Sequence, residues 1–237
     1  HLQPQLVRAG MNNHALTVCV NYADYLAAGL PRWFPHFATW TIVTTFDDHE
    51  TQAMANRNGL RLHITDAFTR DGATFNKGRA MEEARRTMAW DEWVLLVDAD
   101  VVPEPGWYDK VVAAKPTPGR IYGAWRRECM DAAVVDDPDL PVIRTDGRCV
   151  GYFQLFHGAD KALDRRPIFD EHWVHGGIYD CVFRDRWHAR DQVMLPIRLT
   201  HVGERNNWWG RGNRTAFDAM MDERKRRGGH DHERIPG

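Results

Sequence analysis

Trp93-Val94-Leu95-Leu96-Val97-Asp98-Ala99-Asp100-Val101-Val102-Pro103 is the stretch on which the reading of this chain turns. Five consecutive apolar residues, Trp93 to Val97, predict a strand buried on both faces, as in a parallel sheet. The run leads straight into two carboxylates one residue apart, then into a proline that should not continue it. Carboxylates at the end of a buried strand are expensive unless something positive meets them. At the carboxyl edge of an open α/β sheet, where ligands bind, a divalent cation is the natural candidate. The plainer reading is a surface turn opened by Asp98 and Asp100, and the rest of the chain has to decide between the two.

Upstream, strand and helix patterns alternate. Leu16 to Val20 is a short apolar run followed by Asn21-Tyr22, which would either face a ligand or supply a helix cap and a packing ring. Thr39 to Thr45 is rich in β-branched residues and ends in Phe46-Asp47-Asp48. Asp48 suits a helix cap, while Asp47 could cap or touch a ribose or base. Leu60 to Thr65 alternates and predicts a third strand. Asn76 should cap a helix whose Met81, Ala84 and Met88 fall on one face. Lys77 and Arg79 would occupy its first turn, the unfavourable end of the helix dipole for a cation. That placement suggests an anion nearby, with two solvated side chains as the alternative. The repeated alternation predicts βαβ units and a parallel sheet.

Downstream the pattern loosens. Gly106-Trp107-Tyr108 predicts a short helix, Ile121 to Trp125 a strand, and residues 129–147 an Asp- and Pro-rich excursion. Cys149 to Phe156 predicts another strand. His172, His175 and Asp180 crowd together, with a helix expected from about Gly177 and Asp180 in its first turn. A last strand runs from Ile197 to Gly203 with His201 at its exit. The glycine-flanked Trp208, Trp209 and Arg211 follow. Residues 1–214 are expected to form one α/β domain, and 215–237 a short helix with a basic, partly disordered tail.

Composition is that of a globular protein: 43% hydrophobic and 27% charged over 237 residues, with a net charge of −2. Such a balance gives no global drive toward nucleic acid or an acidic membrane. Four cysteines without paired spacing argue against a disulfide framework or zinc knuckle and favour a reducing compartment. No apolar run reaches membrane-span length, and no signal-peptide core is apparent. A cytoplasmic location is therefore expected. Ten tryptophans are unusual, several of them in polar, Gly- and Arg-rich surroundings.

Taken together, Phe75-Asn76-Lys77-Gly78-Arg79-Ala80, the strand into Asp98-Ala99-Asp100, and Asp180 followed by His201 resemble a glycosyltransferase of the GT-A fold, near the family-2-like enzymes. The resemblance extends from about Leu16 to Arg211. It implies a central, mostly parallel sheet flanked by helices and a nucleotide-sugar donor, with a UDP-sugar the expected type. It also implies Mn²⁺ or Mg²⁺ held by Asp100 and His201, with Asp98 on metal or ribose. A divalent cation would act as a Lewis acid on the nucleoside diphosphate leaving group. Asn21, Tyr22, Asp47, Lys77, Arg79 and Asp98 would contact the donor, and Trp208, Trp209 and Arg211 would close over it or pack a crossing. Asp180 matches the general base of inverting members, with Asp170 and Glu171 as rivals.

The acceptor is less constrained. The pattern is similar to that of bacteriophage enzymes that glycosylate 5-hydroxymethylpyrimidines in DNA. Under that resemblance Trp125, Arg126, His172 and His175 would meet the acceptor, and the host cytoplasm would be the setting. The two histidines, three residues apart, could bind metal, but a structural pair or acceptor contact is the stronger reading. Saccharide or protein acceptors are the alternative. Two other classes are a sugar nucleotidyltransferase, which normally has a Gly-rich basic signature after strand one, and a non-enzymatic sugar- or nucleotide-binding module. The first would share the sheet and the acidic metal site, but Asn21-Tyr22-Ala23-Asp24 is not that signature; the second would explain the tryptophans but not the ordered acidic, basic and imidazole residues.

Overall fold

The structure, a computed structural model, describes residues 13–88, 90–143, 148–149, 151–172 and 179–203. The elements run β1 (Asn13–Val18), α1 (Ala23–Trp33), β2 (Thr39–Thr44), α2 (His49–Arg57), β3 (Arg61–Ile64), α3 (Lys77–Arg85), β4 (Trp93–Val97) and β5 (Val101–Pro103). They continue with α4 (Trp107–Ala113), β6 (Ile121–Cys129), β7 (Val142–Ile143), β8 (Phe153–His157), α5 (Tyr179–Arg184) and β9 (Gln192–Val202). The strands make one sheet of order β3-β2-β1-β4-β8-β6-β9-β5, with β7 paired to β6. From β3 to β4 every join is parallel. Antiparallel joins enter where β4 meets β8 and β6 meets β8. This α/β sheet with flanking helices is the Rossmann-like GT-A arrangement.

All five residues of β4 are buried, because the strand sits between β1 and β8 and is covered on both faces. One cover is α1 and α4, whose Leu26, Leu30, Trp33 and Trp107 pack with Leu95 and Val97. The other is α3 and α5, whose Met81, Ala84 and Phe183 pack with Val94 and Leu96. The expected amphipathic face of α3 is thus the face that is buried. Trp33, Trp40, Trp93, Trp107 and Trp187 all lie in the core, so much of the tryptophan excess is packing. All four cysteines are free.

Several element ends differ from the sequence reading. Pro103 does not merely end a turn: Val101–Pro103 forms β5, which pairs with Thr200 and its neighbours on β9. The proline is tolerated because β5 is the last strand at the sheet edge. Its carbonyl accepts from Arg32 Nη1 at 2.9 Å. β6 runs on past Trp125 to Cys129, since its charged Arg126–Glu128 segment is held in register against β9. β9 begins five residues before Ile197, and β8 begins only at Phe153. No helix among the described residues is long and apolar enough to cross a membrane.

Candidate active site

Two side-chain groups meet where β4 ends. The first forms because β5 and β9 are antiparallel partners with Val101 opposite His201. That register sets the Asp100 carboxylate 3.2 Å from His201 Nε2, while Val202 N–H donates to the Asp100 carbonyl. Asp100 Oδ1 and His201 Nδ1 are both buried and find no hydrogen-bond partner among the described residues. Buried polar atoms without partners carry a desolvation cost that a ligand would relieve. Hard cations take oxygen donors, and imidazole is acceptable to Mn²⁺. Among the described residues no three His, Cys, Asp or Glu side chains form a complete metal cage. A pair suffices where substrate phosphates supply the remaining oxygens, as is usual for Mg²⁺. Asp100 and His201 therefore fit such an ion, and Asp98 is aimed elsewhere.

The second group is built on Lys77. Asn76 caps α3, its side chain accepting from Arg79 N–H at 2.9 Å, and its amide nitrogen donates to Glu171 carbonyl. Capping fixes the first turn, so Lys77 is aimed at the sheet edge. Its Nζ lies 2.7 Å from Asp98 Oδ1 and 3.5 Å from Asp180 Oδ1, and 5.5 Å from the centre of the Tyr179 ring. Burial works against the ammonium charge, but the Asp180 and Asp98 carboxylates outweigh it and hold the Lys77 pKa above its ordinary value. Burial pushes the Asp180 carboxyl up to about 6, with Lys77 opposing the rise and the Asp98 charge adding to it. Gln154 donates to the Asp180 carbonyl. A Cβ on Gly151 would overlap the Asp180 carboxyl, so a residue without a side chain is needed there. Lys77, Asp98, Gly151, Tyr179 and Asp180 line one small cleft.

The other expected contacts divide. Asp48 is the helix cap, accepting from Thr51 N–H and from the backbone N–H of Asn21. Asn21, at φ 61°, and Asp47 are exposed at the exits of β1 and β2, where a nucleotide could reach them. Tyr22 is largely buried, packed with Leu26 and its neighbours. Arg79 pairs with Asp71 at 2.9 Å on the segment before α3. Arg126 pairs with Glu128 and lies over the Tyr152 ring, while Trp125 sits opposite Arg198 in the β6–β9 ladder. His172 is tied to Asp170 and lines a different cleft. The rival bases are engaged elsewhere, Asp170 by His172 and Glu171 by Arg86 at 3.0 Å. His175, Trp208, Trp209, Arg211 and the 215–237 tail lie outside the described residues.

Sequence reasoning missed Gly151, Gln154 and Tyr179. Gly151 had a faint signal, a glycine inside a segment otherwise patterned as strand; Gln154 and Tyr179 had none, since only the fold brings them to Asp180.

No protein-family model and no curated protein matches the sequence. Among solved structures, the chain is similar to glucosyl-3-phosphoglycerate synthase from Mycobacterium tuberculosis in complex with Mn²⁺, uridine diphosphate and glucosyl-3-phosphoglycerate. That alignment has a TM-score of 0.50 at 12% identity and covers 97% of this chain and 88% of that one. Mannosyl-3-phosphoglycerate synthase from Rubrobacter xylanophilus aligns with a TM-score of 0.47 at 17% identity, over 96% and 78% of the two chains. In another complex of the mycobacterial synthase, with phosphoglyceric acid, the match covers 50% of this chain and 44% of the other, at a TM-score of 0.37 and 16% identity. In that alignment the chain spans less than half of its neighbour's length. At 12% identity the first of these alignments, with its TM-score of 0.50, speaks to the fold alone.

Proposed function

We propose that the chain is a metal-dependent glycosyltransferase that moves a sugar from a nucleotide-sugar, a UDP-sugar as the expected donor, to an acceptor hydroxyl. The observation that carries this reading is the juxtaposition at the end of β4. An orphaned carboxylate–imidazole pair, Asp100 and His201, stands beside a lysine that bridges Asp98 and Asp180. The glycosyltransferase structures of similar fold support it, one of them containing Mn²⁺ and UDP.

Asp100 and His201 would hold Mn²⁺ or Mg²⁺, which supplies Lewis-acid stabilisation of the diphosphate leaving group. Lys77 adds a fixed positive charge in a site largely shielded from water, where charge counts for more. Asp98 accepts from Lys77 and would contact ribose, or the metal through water. Asp180 takes the proton of the acceptor hydroxyl; a carboxyl pushed up to about 6 is a stronger base than an exposed one yet still ionised near neutrality. Attack by that hydroxyl gives direct displacement, with inversion at the anomeric carbon. Asn21 and Asp47 would meet the nucleoside at the exits of β1 and β2.

The finer acceptor reading, a 5-hydroxymethylpyrimidine in DNA, rests on Trp125 and Arg126 as an aromatic–cationic edge. It has no support from the structures of similar fold. The assay therefore offers hydroxymethylated duplex DNA, unmodified duplex and small hydroxylated acceptors in parallel, with several nucleotide-sugars. Metal-dependent hydrolysis of UDP-sugar is expected in the parent protein and not in Asp100→Ala. Transfer should fall at least about a hundredfold in Asp180→Asn. Hydrolysis that survives in Asp100→Ala, or full transfer by Asp180→Asn, would refute the respective assignment. Anomeric configuration of the product, read by proton NMR, tests inversion.

A further inference from the structure

A second cleft opens on the far side of α5 from Asp180. Val182 lines it, and residues two apart on a helix point about 200° apart. The cleft encloses about 530 Å³ between the 161–172 segment and α5, within the range of small-molecule sites. Its cations are Lys161, Arg165, Arg166 and Arg186.

Three observations bear on what it takes. Its charge is unneutralised: the lining carboxylates are Asp170 and Asp185, and they are paired with His172 and Arg184 respectively. Among the described residues, none of the four cations makes an ion pair. Second, the cleft has a prepared donor. Arg186 is held by three main-chain carbonyls, those of Ala162, Arg165 and Pro167. Carbonyls fix the guanidinium without cancelling its charge. Burial, and then the neighbouring Arg165 charge, push its pKa below the ordinary arginine value, against a smaller opposing pull from Glu82. Third, among the described residues no Phe, Tyr or Trp lines the cleft and its one aromatic ring is His172, already tied to Asp170, so it offers little of the stacking platform that single-stranded nucleic acids use.

We propose that this cleft is a binding site for a phosphate-bearing small molecule, separate from the Asp100–His201 centre and independent of the function proposed above. Planar guanidinium groups match phosphate oxygens in paired, charge-assisted hydrogen bonds. The half-buried Arg186 forms the floor, and the exposed Arg165 and Arg166 close on the ligand from the rim. Free phosphate esters and the phosphodiesters of a nucleic acid strand share this chemistry; the cleft's concavity and the absence of Phe, Tyr or Trp among its described lining residues favour the former.

The test is calorimetric titration of the whole chain with pyrophosphate at low salt, without divalent metal. Binding is expected to weaken as salt rises. It should drop about tenfold or more in the Arg165→Ala, Arg166→Ala double variant, the worth of a charge-assisted hydrogen bond. Those two side chains are exposed, and Lys161→Ala gives a second, milder variant should the double variant fail to fold. Asp100→Ala should bind pyrophosphate as the parent does. No binding by the parent, binding unchanged in both cleft variants, or binding lost in Asp100→Ala would each overturn the proposal. So would displacement of pyrophosphate by an oligothymidylate, which would identify a nucleic-acid site instead.

Discussion

Lys77 carries the electrostatics of the site at the scale of a single residue. Two carboxylates within 3.5 Å of its Nζ could not both stay ionised in a largely buried cleft without it. A pH dependence follows. With the Asp180 carboxyl raised to about 6, the transfer rate should climb as pH rises through about 6, where the base loses its proton. In Lys77→Met that limb should move to higher pH, because the lysine lowers the Asp180 pKa; an unmoved limb in a pH–rate profile would count against the assignment. The stability effect has the opposite sign. A carboxyl raised above its ordinary 3.8 stabilises the fold fully below that value, and this contribution is lost as pH rises through about 6. Gly151→Ala places a methyl group where the Asp180 carboxyl stands. We expect kcat to fall at least about tenfold while UDP binding is kept, measured by steady-state kinetics beside nucleotide titration. At this scale the sequence was partly legible. Asn76 as a cap could be read from residue type and position, whereas Asp100 with His201 as a pair followed only from the resemblance to GT-A enzymes. Lys77 was read as facing phosphates, and its carboxylate partners could not be seen because they lie 21 and 103 residues away.

Elements show a sharper division between what pattern reveals and what packing adds. β4 was readable from its unbroken apolar run, and α3 from its helical period and the Asn76 cap. β6 was cut short since Arg126, Arg127 and Glu128 look like a loop; the β9 ladder holds them as strand, and Arg127 ties the excursion by donating to Asp137 carbonyl. β5 carries too few residues for any periodic signal. On α3, Glu82 had no signal at all, yet it is 1% exposed. It accepts from the backbone N–H groups of Ile168 and Phe169 and pairs with Arg85 at 2.8 Å. It thereby clamps the segment before α5 onto α3, so both walls of the Lys77 cleft depend on it. Glu82→Ala leaves two buried N–H groups and a partly buried guanidinium unsatisfied, and should cost about 3 kcal/mol. Denaturant unfolding would measure it, and a loss below about 1 kcal/mol would show that the clamp is dispensable.

For the molecule as a whole, the GT-A arrangement was legible because strand–helix alternation, the carboxylate-ended strand and the late His201 occur in a fixed order along the chain. The switch from parallel to antiparallel joins beyond β4 was not, since a strand's sequence scarcely encodes its neighbour's direction. If the proposed donor chemistry is right, UDP with Mn²⁺ should raise the thermal midpoint by several degrees. Ligand at a hundred times its Kd adds about 2.7 kcal/mol, and a chain of this size gains about 2–4 °C for each. The rise should vanish in Asp100→Ala and persist in Asp180→Asn; equal shifts in both variants would place the nucleotide elsewhere. The rim of the sheet has a further consequence, for solubility. An open sheet of this kind is vulnerable to aggregation at its outermost strands, where a second copy can dock and keep adding. Here one border is a three-residue strand ending in Pro103, which has no N–H to offer, and whose carbonyl Arg32 already occupies. The other border, β3, begins with the exposed charge of Arg61. Both ends of the sheet thus discourage chain-to-chain strand pairing, which protects the folded protein against self-association as its concentration rises.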